Sequence, residues 1–166
     1  MNNSRDSIKS KLLQYAYGIL VSRDLPYKTV QDKLKKKCAN YSDLEFSAED
    51  LVQEIMSELV IAKYVDDFRY ATSFINSKYS STQPIGMSKI KQQLRLKGIN
   101  SDVISQAFDL IEDAIPNDAL RFLIQKRTKG KTLDYEQKQK LYKYLMSRGF
   151  SFSAIQREVD SITLLK

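Results

Sequence analysis

The sequence predicts an all-α protein, an elongated curved array of three tandem three-helix units resembling helix-turn-helix repeats. Three observations lead there. A phrase recurs: Leu94-Arg95-Leu96-Lys97-Gly98-Ile99 returns as Leu145-Met146-Ser147-Arg148-Gly149-Phe150, with the glycines 51 positions apart (98 to 149). Apolar residues keep helical spacing almost throughout, and no strand alternation runs longer than a few residues. Basic and acidic stretches alternate from helix to helix. A repeat of about 50 residues marks a supersecondary unit that buries its apolar face against its neighbours, so the units stack rather than close into a sphere.

The elements follow in order. Ile8, Leu12, Leu13, Ala16, Ile19 and Leu20 form the apolar stripe of a first helix that Asp24-Leu25-Pro26 ends. A second helix is expected from Tyr27 to Lys37, with Val30 and Leu34 inward. The loop from Ala39 to Phe46 carries the turn formers Asn40, Ser42 and Asp43. Ser47-Ala48-Glu49-Asp50 reads as a cap with acids in the first turn of a third helix, whose stripe is Leu51, Ile55 and Leu59.

The pattern then restarts. Asp66-Asp67 precedes Phe68, Ala71, Phe74 and Ile75 on a helix to about Lys78. After Pro84 and Gly86, a short basic helix with Met87, Ile90 and Leu94 stops at Gly98, where glycine suits a left-handed turn. Ser101-Asp102 is the expected cap of the next helix, with Val103, Ile104, Ala107, Phe108 and Ile111 inward. Pro116-Asn117-Asp118 opens a third round, followed by Ala119, Phe122 and Leu123, then a Lys129-Gly130-Lys131 loop, then Leu141, Tyr144 and Leu145. Gly149, Ile155, Val159 and Ile162 complete it. The units are expected at 1–62, 63–114 and 115–166, each ordered as a long, a short basic and a short acidic helix. The first is degenerate, with Cys38 where the others have glycine.

Composition narrows the chemistry. The chain has 166 residues, 42% of them hydrophobic, enough for a packed core. It has no histidine, which removes His-assisted nucleophiles and most transition-metal sites. Its one cysteine, Cys38, can form no internal disulfide or Cys-x-x-Cys clip and reads as a small buried hydrophobe. There is no Gly-rich phosphate loop. No enzyme activity, cofactor or metal is expected. No apolar run approaches the roughly 20 residues of a membrane helix, and no secretory signal is visible, so a cytoplasmic protein is expected.

The net charge is +7, from 27 Lys and Arg against 20 acids, and its placement matters more than its size. The second helix of each unit is basic: Lys28, Lys33, Lys35, Lys36 and Lys37, then Lys89, Lys91, Arg95 and Lys97, then Lys138, Lys140, Lys143 and Arg148. From Cys38 to Ala62, and from Gly98 to Leu120, every charge is acidic. Helix macrodipoles and salt bridges between helices would account for much of this. The functional reading is that three basic helices line one side of the stack and meet a polyanion or an acidic surface. Tyr15, Tyr17, Tyr142 and Tyr144 lie beside basic residues, where bases could stack, although such rings more often bury and leave the hydroxyl wet.

Asp66-Asp67-Phe68-Arg69-Tyr70-Ala71, then Gly86 to Ile90, then Gln93 to Ile99, then Arg148-Gly149-Phe150-Ser151-Phe152-Ser153-Ala154-Ile155, resembles bacterial RecX, the regulator of the recombinase RecA, over roughly Leu13 to Val159. The resemblance implies three tandem three-helix units and a role in recombination and SOS control. It implies binding in the groove of the RecA–single-stranded DNA filament, blocking its extension or hastening its disassembly, with RecA ATPase, strand exchange and coprotease activities lowered. The expected partners are that filament and single-stranded DNA, with weak direct DNA binding, and a monomer is expected. Lys89, Lys91, Arg95, Lys97 and Arg148 are the expected contact residues, chosen from charge and position. The alternatives are a helix-turn-helix-like nucleic-acid-binding protein acting independently of RecA, and a helical scaffold for an acidic protein.

Overall fold

The computed structural model describes residues 2–41, 45–112 and 114–164. Ser42, Asp43 and the side chain of Ile162, invoked above, lie outside the described residues. Among the described residues the chain forms nine helices and no strand: α1 (Asn2–Val21), α2 (Tyr27–Cys38), α3 (Ala48–Ile61), α4 (Asp67–Tyr79), α5 (Met87–Leu96), α6 (Ser101–Asp109), α7 (Ala114–Thr128), α8 (Tyr135–Ser147) and α9 (Phe152–Leu164).

Local chemistry sets most boundaries. The Ser47 hydroxyl accepts from the Asp50 N–H at 3.2 Å, and the Asp66 carboxylate from the Arg69 N–H at 3.0 Å, each satisfying a donor with no partner inside its helix. The start of α6 differs from expectation. Its cap is Asn100, whose side chain accepts from the Asp102 N–H at 2.8 Å, so Ser101 is already the first helical residue. α7 also starts earlier than expected, at Ala114, because Pro116 falls in its first turn, where a missing N–H breaks no helical bond. α8 opens with a capping box between Asp134 and Gln137. The third helix of a unit is not consistently the short one, since α3 has 14 residues against 12 in α2.

The core falls into three successive clusters. Leu12, Leu34, Leu51, Ile55, Met56 and Leu59 centre the first, which Val65 also joins. Ile75, Ile90, Leu94 and Ile104 centre the second, joined by Ala119. Leu120, Leu123, Leu145 and Ile155 centre the third. Each apolar stripe therefore buries within its own unit, and the first two each take one residue from the next. The chain exposes 10622 Å², where a compact monomer of its 19.2 kDa would expose about 8400 Å². A stack of small cores has this excess surface, and a single sphere does not.

Candidate polyanion-binding surface

The two recurring glycines organise the site. Gly98 and Gly149, just beyond α5 and α8, have φ of +84° and +90°, a conformation that side chains strain. Both also face the preceding unit. A Cβ on Gly98 would run into the Lys28 side chain near the start of α2. A Cβ on Gly149 would lie 2.8 Å from the Lys89 backbone N near the start of α5, and one on Gly86 would overlap the Gly149 carbonyl. The Gly86 N–H donates to the Arg148 carbonyl at 2.9 Å, and the Ser88 N–H to the Gly149 carbonyl at 3.3 Å. Donors left over at the start of α5 thus meet acceptors left over at the end of α8, and the two dipoles follow head to tail.

The C-terminal end of α8 therefore abuts the start of α5, and the C-terminal end of α5 abuts the start of α2. The three basic helices run end to end across the units. At the first junction the start of α2 uses a side chain. The Tyr27 N–H donates to the Asp67 carboxylate at 2.7 Å. Burial pushes the Asp67 carboxyl above the usual carboxylate range, the Tyr27 bond opposes that, and the Asp66 charge adds to it. Arg69 reinforces the junction, donating to the Lys63 carbonyl at 3.1 Å and pairing with Asp24 at 3.0 Å.

Ion pairing explains why the row stays positive. The α3 acids are engaged chiefly by α1: Glu54 pairs with Arg5 and Lys9, and Glu58 with Lys9. Those partners hold the Glu54 carboxyl below its ordinary value and raise Lys9 above its own. Among the described residues, Lys35 is the one α2 lysine that reaches an acid, Glu49, at 3.6 Å. Arg121 takes the buried Glu158 at 2.5 Å. Among the described residues no cation of α5 pairs with a carboxylate.

The expected contact residues divide accordingly. Lys89 and Arg95 are exposed. Lys91 is half-buried with its ammonium 5.1 Å from the Phe108 ring centroid. Lys97 covers the stacked Tyr70 and Phe74 rings, at 5.9 and 5.6 Å. These four belong to one short helix and the residue after it. Arg148 stands apart. Its guanidinium donates to the Pro84 carbonyl at 3.0 Å and to the Gln83 carbonyl, so it clasps the loop before α5.

The four tyrosines beside basic residues already have partners. Tyr17 packs edge-on to Tyr64 at 4.9 Å and Tyr142 against Phe152 at 5.6 Å; Lys37 covers Tyr15 and Arg127 covers Tyr144. Cys38 is buried in the first core, and that burial raises its thiol pKa, the reverse of what a reactive thiolate needs. Among the described residues no three His, Cys, Asp or Glu side chains gather as a metal-binding group. No helix there is long and apolar enough to cross a membrane. The sequence reading missed Gly86 and Asp67 as junction residues; the Asp66-Asp67 doublet and the Pro84-Ile85-Gly86 turn were the available signals.

Comparison with known proteins agrees with this architecture. Residues 66–107, spanning α4 to most of α6, match the family model for the second three-helix domain of RecX, and residues 117–159, in α7 to α9, match that for its third. The regulatory protein RecX of Actinobacillus pleuropneumoniae serotype 5b (strain L20) is 30% identical over 138 residues, covering 83% of each chain. That of Clostridium botulinum (strain Eklund 17B / Type B) is 28% identical over 162 residues, 94% of this chain and 75% of the other. The crystal structure of RecX from Lactobacillus salivarius superposes with a TM-score of 0.78 at 24% identity, covering 96% of this chain and 99% of that one, a likeness of fold. With two successive domain models matched in register and a relative aligned over most of its length, this chain belongs to the RecX family of regulatory proteins.

Proposed function

We propose that this protein is a modulator, mainly an inhibitor, of RecA, and that it works by binding rather than catalysis. It binds along the groove of the RecA filament on single-stranded DNA and blocks extension or promotes disassembly. RecA ATPase, strand exchange and coprotease activity fall as a result. In this reading it acts in the cytoplasm as a monomer, within recombination and the SOS response, through a curved stack of units at 1–62, 63–114 and 115–166.

The observation that supports the reading best is the end-to-end row of basic helices whose middle member pairs with no carboxylate among the described residues. A helical nucleoprotein filament presents phosphates and acidic side chains at regular intervals, and a repetitive basic row matches that periodicity. Lys89, Lys91, Arg95 and Lys97 are the proposed contacts. Arg148 is assigned to holding the third unit against the second, because its guanidinium is already bonded to Gln83 and Pro84.

The test is the DNA-dependent ATPase of RecA preassembled on single-stranded DNA, with this protein titrated in below stoichiometry. A progressive fall is expected. K89E/K91E/R95E should inhibit several-fold less with its helical circular dichroism intact. Unchanged inhibition by that variant would remove α5 from the surface. Absence of any effect by the native protein in excess would favour the RecA-independent nucleic-acid-binding reading, which a selection on duplex DNA would then address.

A further inference from the structure

A second concentration of positive charge lies in the third unit, where the turn from α7 to α8 folds over the start of α8. It encloses a cleft of about 430 Å³. Arg127, Lys129, Lys131 and Lys140 line it, together with Thr132 and Gln137. The turn brings the cations together. Lys129 (φ 51°) and Gly130 (φ 71°) are consecutive left-handed residues that reverse the chain, so residues on both sides of the reversal face the same space. Leu133 and Leu141 contribute apolar surface.

The cations are poorly matched by acids. Lys129 and Lys131 make no ion pair among the described residues. Lys140 pairs with Glu136 at 2.6 Å, but both are well exposed, and such a pair is weak enough to exchange for a better anion. The guanidinium carbon of Arg127 lies over the Tyr144 ring, 4.1 Å from its centroid. Asp134 is engaged at the start of α8, accepting from the Gln137 N–H at 2.8 Å. Four cations in a cleft of nucleotide size, with two neutral polar groups and an apolar wall, suit a phosphate ester carrying a sugar.

We propose that this cleft binds phosphate oxyanions of a nucleotide unit, independently of RecA and of the α5 surface. Two sources share that chemistry: the phosphodiester of a single strand and a free nucleoside triphosphate. Because the C-terminal end of α8 abuts α5, the cleft at the start of α8 lies at the far end of the basic row, and a strand following the row would reach it.

The test is direct binding without RecA, by fluorescence anisotropy, to a labelled oligothymidylate and to a fluorescent ATP analogue. The proteins are wild type, K131E, R127Q/K131Q and, as a comparison, K89E/K91E/R95E, with thermal unfolding recorded for each. Loss of two phosphate contacts should weaken oligonucleotide binding about tenfold at about 50 mM salt and flatten its log–log salt slope by about 1.4. Weakening for both probes supports the cleft with either source. Weakening for the oligonucleotide alone assigns it to the phosphodiester chain, and for the nucleotide alone to the free nucleotide. Binding to neither probe by wild type, or wild-type affinity and salt slope in folded K131E, overturns the proposal. If R127Q/K131Q fails to fold, K131E, whose native ammonium makes no ion pair among the described residues, decides alone. A cleft defect that leaves K89E/K91E/R95E binding intact distinguishes this site from the RecA-facing surface.

Discussion

Alanine at the glycines separates two effects that coincide at Gly149. Gly130 has φ +71°, and a Cβ there would meet nothing within 4 Å, so Gly130→Ala carries only left-handed strain, about 1–2 kcal/mol. Gly86 has φ −77°, so Gly86→Ala carries no such strain, but its Cβ would overlap the Gly149 carbonyl. Relief requires opening the two backbone bonds of that junction, at about 0.5–1.5 kcal/mol each. Gly149→Ala incurs both, about 2–5 kcal/mol in all. Gly98→Ala has the strain, and its Cβ would also meet the Lys28 Cβ at 2.8 Å, which no rotamer moves, so it should cost more than Gly130→Ala. Thermal and urea unfolding by circular dichroism measure the series, at about 2–4 °C per kcal/mol for a chain this long. Because each unit leans only on its neighbours, Gly149→Ala and Gly86→Ala should also split or broaden the transition as the third unit uncouples. If Gly149→Ala costs no more than Gly130→Ala, the close backbone approach contributes nothing and the end-to-end reading of α8 and α5 is wrong.

Other perturbations test separate parts of the structure. Among the described residues the buried Tyr79 hydroxyl finds no hydrogen-bond partner, and burial pushes its pKa up to about 12. Tyr79→Phe should therefore leave stability unchanged or raise it by up to about 1 kcal/mol. Because the folded phenol holds its proton more tightly than the unfolded one, wild-type stability should also fall as pH rises above about 10 in a way the Phe variant lacks, and a loss of more than about 1 kcal/mol in that variant would reveal a partner. Glu54 is shifted the opposite way: Lys9 first and then Arg5 depress its carboxyl, so its contribution is present above the unfolded value of about 4.3 and lost as pH falls through the lower folded value. Wild type should lose up to about 1 kcal/mol more than Glu54→Gln between pH 7 and pH 3, the pair being partly exposed, and parallel stability profiles would refute the assignment. Arg148→Ala should cost about 1.5–3 kcal/mol in urea unfolding, with Arg148→Lys recovering only part because an ammonium lacks the fork that reaches two carbonyls; a neutral Arg148→Ala would return that residue to the list of contacts.

The helices were legible because one apolar face repeats at helical spacing, as Leu51, Ile55 and Leu59 show, and all three are fully buried. The left-handed turns at Gly98 and Gly149 and the cap at Ser47 were legible for the same local reason. Where two adjacent residues could both cap, as Asn100 and Ser101 can, composition did not choose; the choice lay with the residue whose backbone stays extended. Pro116 looked like a start because proline is read as a breaker, yet it sits harmlessly in the first turn of α7. Charge pairing was the least legible feature. The acids of α3 and the lysines of α2 are neighbours in sequence, and only the packing of α1 along α3 assigns Glu54 and Glu58 to Arg5 and Lys9 instead. The cations that remain on the basic row are thus a consequence of tertiary structure.

The repeated phrase is best understood as a joint. In both copies the glycine sits just past a basic helix, in the left-handed region, with its bare face toward the start of the preceding basic helix. A side chain at either position would push the units apart, so the requirement on glycine is tertiary as well as conformational. The residue before each glycine is a cation, but the two copies use it differently. Arg148 reaches back to the carbonyls of Gln83 and Pro84, whereas Lys97 lies over Tyr70 and Phe74 within its own unit. The first junction instead relies on Asp67, at the start of α4, accepting from the Tyr27 N–H at the start of α2, and on Arg69 with Asp24. The joints therefore share a geometry and differ in chemistry: protonating Asp67 should weaken the first junction while leaving the backbone bond from Gly86 to Arg148 in place. In the proposed reading, a stack lying along a regular helical lattice needs its units held at a fixed interval more than it needs any one contact, and a glycine joint used twice at a spacing of 51 residues supplies that interval.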